Sequence, residues 1–237
     1  MITPMEGPKK SPMKGPFLIA LAAGLLSLLL AFVPVLWHMV APGPAPAPAL
    51  HGAPWQVDTP APGASRVFGL GLPGSTLGSA RQRWGDDLKV AVIAGRDGSL
   101  ALEAYLEQFS AGGVAGRLVL AFRADAADLA AWRDAVPGTP TGSGDRWHVL
   151  GGAWAAVADT APLMGLSFIP AAQLDGDTLL ARFGVPAERL PSGERLTHWL
   201  YPALGLAVAL DAQGKEVLQY VAPADFERRL AAPLRRP

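Results

Sequence analysis

Hydrophobic residues divide the chain into one continuous apolar stretch near its start and a long region of short, alternating runs. Residues 17–41 read FLIALAAGLLSLLLAFVPVLWHMVA, with Ser27 as the only strongly polar side chain before the far end. At about 1.5 Å per residue, a helix of this length spans the roughly 30 Å hydrocarbon core of a bilayer. The stretch predicts a transmembrane helix that acts as a signal-anchor. A cleaved signal peptide, whose apolar region has roughly 7–15 residues, is the alternative.

Positive charges flank this stretch on one side only. Lys9, Lys10 and Lys14 precede it, whereas the linker that follows, residues 42–54, contains no Lys or Arg. The positive-inside rule then places a tail of residues 1–16 in the cytoplasm. The linker is rich in Pro and Ala, which favours an extended polyproline conformation. We therefore expect a single-pass protein of the bacterial inner membrane, with a cytoplasmic N-terminus and a periplasmic C-terminal domain.

The region after the linker contains two stretches of similar pattern. From Trp55 onward, short apolar runs alternate with Gly, Pro and Asp, which predicts mixed helices and strands. A short helix that ends at Trp84 corresponds, at a constant offset, to one that ends at Phe183. At the same offset the strand-like run Arg117–Phe122 corresponds to Glu216–Val221. Each half is expected to contain a strand, a short helix, three strands and a helix.

The predicted fold class is α+β, with an N-terminal single transmembrane helix and a periplasmic domain of two similar helix-on-antiparallel-sheet halves. The first α+β repeat covers residues 55–136, a connector covers 137–160, and the second repeat covers 161–237. The expected strands lie at residues 66–70, 88–94, 100–108, 117–123, 166–169, 195–201, 206–211 and 216–221.

The second half carries a pattern that resembles a known family. Phe183-Gly184-Val185-Pro186 is followed by His198-Trp199-Leu200-Tyr201-Pro202 and by a Gly-led apolar strand. Over residues 175–221 this order resembles the small envelope modules of the SmpA/OmlA (BamE-like) family, and it is similar to the tandem helix-plus-sheet repeats of β-lactamase inhibitor proteins. The resemblance implies a fold that acts by binding proteins and not by catalysis. The lipidated Cys of the SmpA/OmlA family is absent from this chain.

Composition narrows the possible chemistry and partners. The chain has 237 residues, with 20 Lys and Arg against 20 Asp and Glu, and it has no Cys. The absence of Cys excludes disulfides, thiolate metal ligands and thiol nucleophiles. A net charge of zero offers no electrostatic field that would attract a polyphosphate, so we expect no nucleic-acid partner.

Motifs for catalysis, cofactors and metals are incomplete. Residues 69–74 read GLGLPG, the letters of a dinucleotide-binding loop, but Pro73 removes an amide and the helix that follows is too short. The four His residues show no spacing typical of a zinc site. Ser75 lies outside any G-x-S-x-G motif and is expected to cap a helix. We therefore assign no catalytic residue, cofactor or metal ligand, and we expect that the protein is not an enzyme.

Aromatic and arginine side chains are the remaining candidates for a functional surface, because these types dominate the hot spots of protein interfaces. The candidate partner-binding residues are His198, Trp199, Tyr201 and Arg195, all on one predicted strand. Trp199 and Tyr201 share one face of that strand by alternation. Packing of this face on the preceding helix is the alternative. The other aromatic candidates are Trp147, Trp154 and Tyr220, whereas Trp84, Trp132 and Phe183 occur at helical spacing and are expected in the core.

These observations favour a membrane-anchored periplasmic protein-binding module that serves as an accessory or assembly factor of an envelope or inner-membrane complex. The expected partners are a protein in the membrane or periplasm and the lipid bilayer, contacted through the anchor. A periplasmic sensor or ligand-binding domain is one alternative, and it requires a pocket. An uncharacterised hydrolase is the other, and it requires convergent carboxylate or His side chains.

Overall fold

The computed structural model describes residues 52–211 and 216–236, and antiparallel strands are the main secondary structure of this part. The strands are β1 Asp58–Ala61, β2 Ala64–Val67, β3 Leu70–Leu72, β4 Lys89–Ala94, β5 Leu100–Ala111, β6 Val114–Phe122, β7 Thr139–Pro140, β8 Arg146–Leu150, β9 Leu163–Pro170, β10 Glu188–Ser192, β11 Leu196–Tyr201, β12 Leu206–Asp211 and β13 Glu216–Tyr220. They form a three-stranded sheet, β1-β2-β3, and a ten-stranded sheet with the order β10-β11-β12-β13-β9-β6-β5-β4-β8-β7.

Short helices connect the strands. The α-helices of the described residues are α1 Leu77–Trp84, α2 Ala126–Ala135, α3 Ala153–Val157, α4 Gly176–Phe183 and α5 Ala232–Leu234. A 3-10 turn at Pro223–Asp225 and a π-helical turn at Glu227–Ala231 precede α5. We call residues 223–234 the C-terminal helical segment.

Helices α1 and α4 begin at side-chain caps and end at glycine. In α1, Thr76 Oγ1 accepts the Ser79 N–H at 3.3 Å, and Ser79 Oγ accepts the Thr76 N–H at 3.3 Å. In α4, the Asp175 carboxylate accepts a backbone N–H at 2.8 Å. These bonds satisfy N–H groups that the first turn of a helix leaves unpaired. Gly85 and Gly184 follow the two helices with positive φ, a conformation that glycine adopts without steric cost.

Strand alternation gives the ten-stranded sheet two unlike faces. We call the side that carries Val92, Leu102, Leu118, Phe168 and Val208 the inner face, and each of these side chains is at most 1 % exposed. Residues of α1, α2, α4 and the three-stranded sheet join them in one continuous hydrophobic core. Removal of this apolar surface from water is the main force that holds the helices on the sheet.

The three-stranded sheet contributes an aromatic cluster to the inner face. The Phe68 ring lies between the rings of Phe109, Phe168 and Tyr220, at centroid distances of 5.1, 5.5 and 5.9 Å. The Tyr220 hydroxyl is fully buried and donates to the Pro54 carbonyl oxygen at 2.7 Å. Burial raises the pKa of the Tyr220 hydroxyl. This hydrogen bond thus joins the start of the described chain to β13, the last strand in chain order.

Among the described residues, the opposite side of the sheet, the outer face, is covered by helical structure at one end only. Over β11, β12 and β13 the C-terminal helical segment packs on it, and the residues between them form a second hydrophobic cluster. The cluster consists of Leu200, Ala207, Val221, Phe226 and Ala231. Over β4, β5, β6 and β8 most outer side chains are exposed or half-buried.

Both edge strands limit further strand pairing. At one edge, β10 contains Pro191, which has no N–H to donate to another strand. At the other edge, β7 has only two residues and one of them is Pro140. Short edges with proline are a common protection against edge-to-edge aggregation.

The predicted fold class is wrong, because the two expected halves do not form separate sheets. Strand β9 pairs with β6 on one side and with β13 on the other, so one mostly β architecture spans both halves. The helices that follow the matched strands also differ in place, since α2 joins the inner core and the C-terminal helical segment covers the outer face. The backbone N–H and C=O groups of a central strand such as β9 are all hydrogen-bonded only when both neighbouring strands are present.

The prediction of a single-pass inner-membrane protein is not supported by the described structure. The expected transmembrane helix, residues 17–41, lies outside the described residues, as do the tail 1–16 and most of the linker 42–54. Within residues 52–211 and 216–236, none of the helices has the length and apolar character needed to cross a membrane. The described structure therefore contains no anchor that supports this location.

Candidate functional site

The end of the outer face over β4, β5, β6 and β8 carries several apolar side chains that no other described element covers. We call it the open face. Its apolar members are Ile93, Ala101, Tyr105, Val119, Trp147 and Val149. They alternate along β4, β5, β6 and β8 with residues of the core. Because successive side chains of a strand point to opposite faces, these residues lie on the outer face. Val149 is 44 % exposed, and Ala101 is exposed as well.

An aromatic pair lies at the centre of the open face. The rings of Tyr105 on β5 and Trp147 on β8 have their centroids 4.7 Å apart at an interplanar angle of 47°. The strand between them presents Ala91, which pairs with Glu103 and with Val149 and is therefore a diagonal neighbour of both rings. Ala91 is fully buried although it belongs to the open face, because the two rings meet over its small side chain.

Glu103 is an unpaired carboxylate beside this pair. It lies between Ala91 and Ala121 in the strand register, and no hydrogen bond or ion pair joins it to another described residue. Burial disfavours the charged form and raises the pKa of the Glu103 carboxyl. Burial also raises the pKa of the Tyr105 hydroxyl, and the negative charge of Glu107 adds to this shift.

A cavity of about 220 Å³ separates Glu103 from the C-terminal helical segment. Ser167 and Gln219 line its floor on the sheet, and Arg229 lines the opposite wall. Arg229 Nε lies 3.5 Å from Asp225 Oδ2 but is buried and makes no hydrogen bond. The cavity therefore contains one carboxylate and one guanidinium that retain hydrogen-bonding capacity.

At its other end the open face continues into a groove of about 700 Å³. Strand β5 has an irregularity between Leu106 and Phe109, where the pairing with β6 shifts. Such a bulge bends a strand and changes the direction of its side chains. The groove is lined by Glu107, Arg117 and Ile169 among others, so its apolar floor carries one acidic and one basic group.

The structure separates the four residues that the sequence singled out as partner contacts. Trp199 and Tyr201 point to the inner face and are 8 % and 5 % exposed. The Tyr201 ring lies 5.6 Å from Phe183 of α4, and its hydroxyl donates to the Gly184 carbonyl oxygen at 3.2 Å. The Arg189 guanidinium lies over the Trp199 ring at 4.2 Å. Both aromatic side chains thus pack where the preceding helix covers the strand.

His198 and Arg195 occupy other surroundings. His198 points to the outer face, is 8 % exposed, and its Nδ1 has no hydrogen-bond partner among the described residues. Burial lowers the pKa of the His198 imidazole. Arg195 is exposed and pairs with Asp211 at 3.3 Å. The four residues share no single exposed surface, and a partner contact at any of them stays a prediction.

Sequence reasoning missed Tyr105 and Glu103. Their signal is present in the segment Leu102–Leu106, where Leu, Ala and Leu alternate with Glu and Tyr. The sequence identifies Trp147 only as an aromatic residue of a type common at interfaces. Its pairing with Tyr105 depends on β8 lying beside β4, which the sequence pattern does not encode.

The described residues show no grouping that indicates metal chemistry. Within residues 52–211 and 216–236, no three His, Asp or Glu side chains lie close enough together to hold a metal ion. Comparison of the chain with protein-family models, with curated proteins and with solved structures found no match. The resemblance to SmpA/OmlA modules and to β-lactamase inhibitor proteins therefore stays a prediction.

Proposed function

We propose that this protein is a protein-binding module, an accessory or assembly factor of a protein complex, that contacts its partner through the open face. The observation that carries the proposal is the half-buried aromatic pair of Tyr105 and Trp147, which lies on a part of the outer face that the C-terminal helical segment does not cover. Tyr and Trp bury large areas at low conformational cost and are enriched among interface hot spots.

The surroundings of the pair support this function. Ile93, Val119 and Val149 extend the apolar surface on neighbouring strands. Contiguous apolar surface of this kind is uncommon on monomeric proteins and is typical of interaction sites. The surface is built on strands of one continuous sheet, so its side chains are held in place before a partner binds, which lowers the entropy lost on binding.

The partner is expected to bring an apolar surface that carries a basic side chain. Glu103 is half-buried, unpaired and adjacent to the aromatic pair. A lysine or arginine of the partner would satisfy this carboxylate and recover the cost of its desolvation. A partner without a basic group at this position would bury the unpaired charge further and bind less tightly.

Site-specific photo-crosslinking tests the proposal in cells that naturally produce the protein. A benzophenone amino acid replaces Val149, which is 44 % exposed on the open face. The matched control position is Val185, which is 83 % exposed after α4 and lies outside the open face. We expect a discrete crosslinked protein from position 149 that is absent from position 185.

Substitutions then connect the crosslink to the aromatic pair. Trp147→Ser and Glu103→Gln, each combined with the probe at position 149, should reduce the crosslinked species by about tenfold, the loss typical of a hot-spot side chain. Equal crosslinking from positions 149 and 185, or crosslinking that both substitutions leave unchanged, would contradict the proposal. Circular dichroism of each purified variant confirms that the fold is retained.

A further inference from the structure

A second surface, away from the open face, brings two arginines together without a neutralising acid. A cleft of about 580 Å³ lies between the β2–β3 hairpin and α1. Arg66 and Arg83 line it together with Ser75, Ser79 and Gln82, and no carboxylate is among its lining residues. We propose that this cleft binds a phosphate-type anion, either free phosphate or the phosphate group of a small phosphomonoester.

The Arg83 guanidinium lies in the cleft next to the backbone of Gly69. A Cβ at Gly69 would lie 2.7 Å from Arg83 Cζ, so the guanidinium lies directly against the bare backbone of this turn and a side chain there would displace it. Gly69 also has a φ of +79°, which side-chain-bearing residues rarely adopt. The Arg83 guanidinium therefore lies beside the turn that follows Phe68, and it forms no ion pair with another described residue.

A second glycine gives Arg66 access to the same cleft. Arg66 on β2 pairs with Gly71 on β3, and directly opposite residues of antiparallel strands present their side chains on one face. Because Gly71 has no side chain, the Arg66 side chain can extend over it toward Ser75. Asp58 lies opposite Arg66 on the other neighbouring strand, but no ion pair within 4.0 Å joins the two.

Neutral donors complete the cleft. Ser75 was expected to cap α1, but Thr76 is the cap, and Ser75 Oγ instead accepts the Gly71 N–H at 3.0 Å. Its hydroxyl hydrogen is therefore free to be donated to a ligand. Gln82 forms no hydrogen bond with another described residue, and its amide supplies two further N–H donors.

The charge arrangement selects the ligand class. Both charged groups that line the cleft are guanidiniums, so the cleft favours an anionic ligand that can accept hydrogen bonds from them. Phosphate oxygens match the planar fork of arginine donors, often through two parallel hydrogen bonds. A dinucleotide is not the expected ligand, because the loop 69–74 belongs to an antiparallel hairpin and not to the strand–helix–strand unit that holds a pyrophosphate.

Isothermal titration calorimetry of the full chain with inorganic phosphate, at constant ionic strength, tests the proposal. We expect saturable binding that Arg66→Gln and Arg83→Gln each weaken by about tenfold or more, the loss typical of a charge-assisted hydrogen bond. Arg83→Lys keeps the charge but loses the fork of donors, so its affinity should fall between the wild type and Arg83→Gln. The matched control is Arg123→Gln, an exposed arginine outside the cleft, which should bind as the wild type does.

The two sources of the anion are distinguished in parallel titrations with glycerol phosphate. Tighter binding of glycerol phosphate than of inorganic phosphate indicates a phosphomonoester ligand, and the reverse order indicates free phosphate. Heat that does not saturate, or binding that all four variants share, would overturn the proposal. Thermal unfolding of each variant confirms that a lost affinity does not reflect a lost fold.

Discussion

Glu103 shows how one side chain on the open face makes stability depend on pH. Burial raises the pKa of its carboxyl, while the same group in the unfolded chain titrates at its ordinary value. Between these two values the folded state holds a proton that the unfolded state has lost. The free energy of unfolding therefore decreases as the pH rises above the ordinary carboxyl pKa and through this window.

Glu103→Gln should remove this dependence, because a neutral amide has no charge to desolvate. We expect a higher melting temperature than that of the wild type at pH 7 and a smaller difference between about pH 4 and pH 7. Thermal unfolding at several pH values measures both quantities. Glu107→Gln, on the same strand but exposed to solvent, is the matched control and should keep the wild-type profile. An unchanged profile in Glu103→Gln would contradict the assignment.

Two glycines with similar backbone conformation differ in their surroundings. Gly205 precedes β12 with a φ of +67°, and a Cβ there would overlap the Val221 carbonyl oxygen. Gly193 has a φ of +71° but has no atom within 4 Å of a Cβ. Gly193→Ala should cost only the strain of a left-handed residue, about 1–2 kcal/mol. Gly205→Ala should cost clearly more in urea unfolding, and equal losses would show that the contact with Val221 is unimportant.

At the scale of elements, the C-terminal helical segment is held by the second hydrophobic cluster. Phe226 is 2 % exposed and packs over β11 and β12 on the outer face. Phe226→Ala removes most of this buried side chain and leaves a cavity, so we expect a loss of about 3–5 kcal/mol in the free energy of unfolding. Val185→Ala, at an exposed site, should change it by less than about 0.5 kcal/mol.

Hydrogen exchange of the Phe226→Ala variant would locate the effect. If the segment is a separate layer on the outer face, amides of residues 223–234 should lose protection before those of β9. Uniform loss of protection across the sheet would show instead that the segment unfolds only with the whole molecule.

At the scale of the whole molecule, the continuous sheet predicts one cooperative unit. Leu118 on β6 and Leu218 on β13 are both fully buried, and both pair with Phe168 of the central strand β9. A change on either side of β9 therefore acts on the same core. The described residues offer no boundary along which one half of the sheet would unfold alone.

Thermal unfolding of Leu118→Ala and Leu218→Ala tests this cooperativity. Each substitution should cost about 2–5 kcal/mol and should shift one single transition. Far-UV circular dichroism and tryptophan fluorescence should report the same midpoint in each variant. Two separate transitions, of which each substitution moves only one, would instead indicate two independent halves.

Several local features followed directly from the residue pattern. Expected strands at 206–211 and 88–94 agree with β12 and β4 to within one residue. Gly85 and Gly184 follow α1 and α4 with positive φ, and the two helices end at Trp84 and Phe183 as the pattern predicts. Period-2 alternation, side-chain caps and glycine turns act within a few residues, so a single sequence is enough to recognise them.

The two halves of the chain are similar in the order of their elements, as the sequence pattern indicated. The prediction that each half forms its own sheet is wrong. Helices α1 and α4 and strands β6 and β13 do correspond in order along the chain. The pattern of a buried strand is the same whether its neighbour belongs to its own half or to the other half. Only the tertiary structure shows that β9 has β6 and β13 as its two neighbours.

The sequence by itself determined the positions of several elements, such as α1, α4, β4 and β12, because propensity, capping and alternation depend on near neighbours. It did not determine all of them, since the expected strand 66–70 contains the turn between β2 and β3, and β1 and β10 were not expected. The tertiary structure alone decided which faces these elements cover. The C-terminal helical segment closes one end of the outer face, and the Tyr105–Trp147 pair remains accessible at the other end. Which end of the outer face is covered depends on the strand order, and the strand order depends on contacts between residues far apart in the chain. A local sequence pattern contains no information on such contacts.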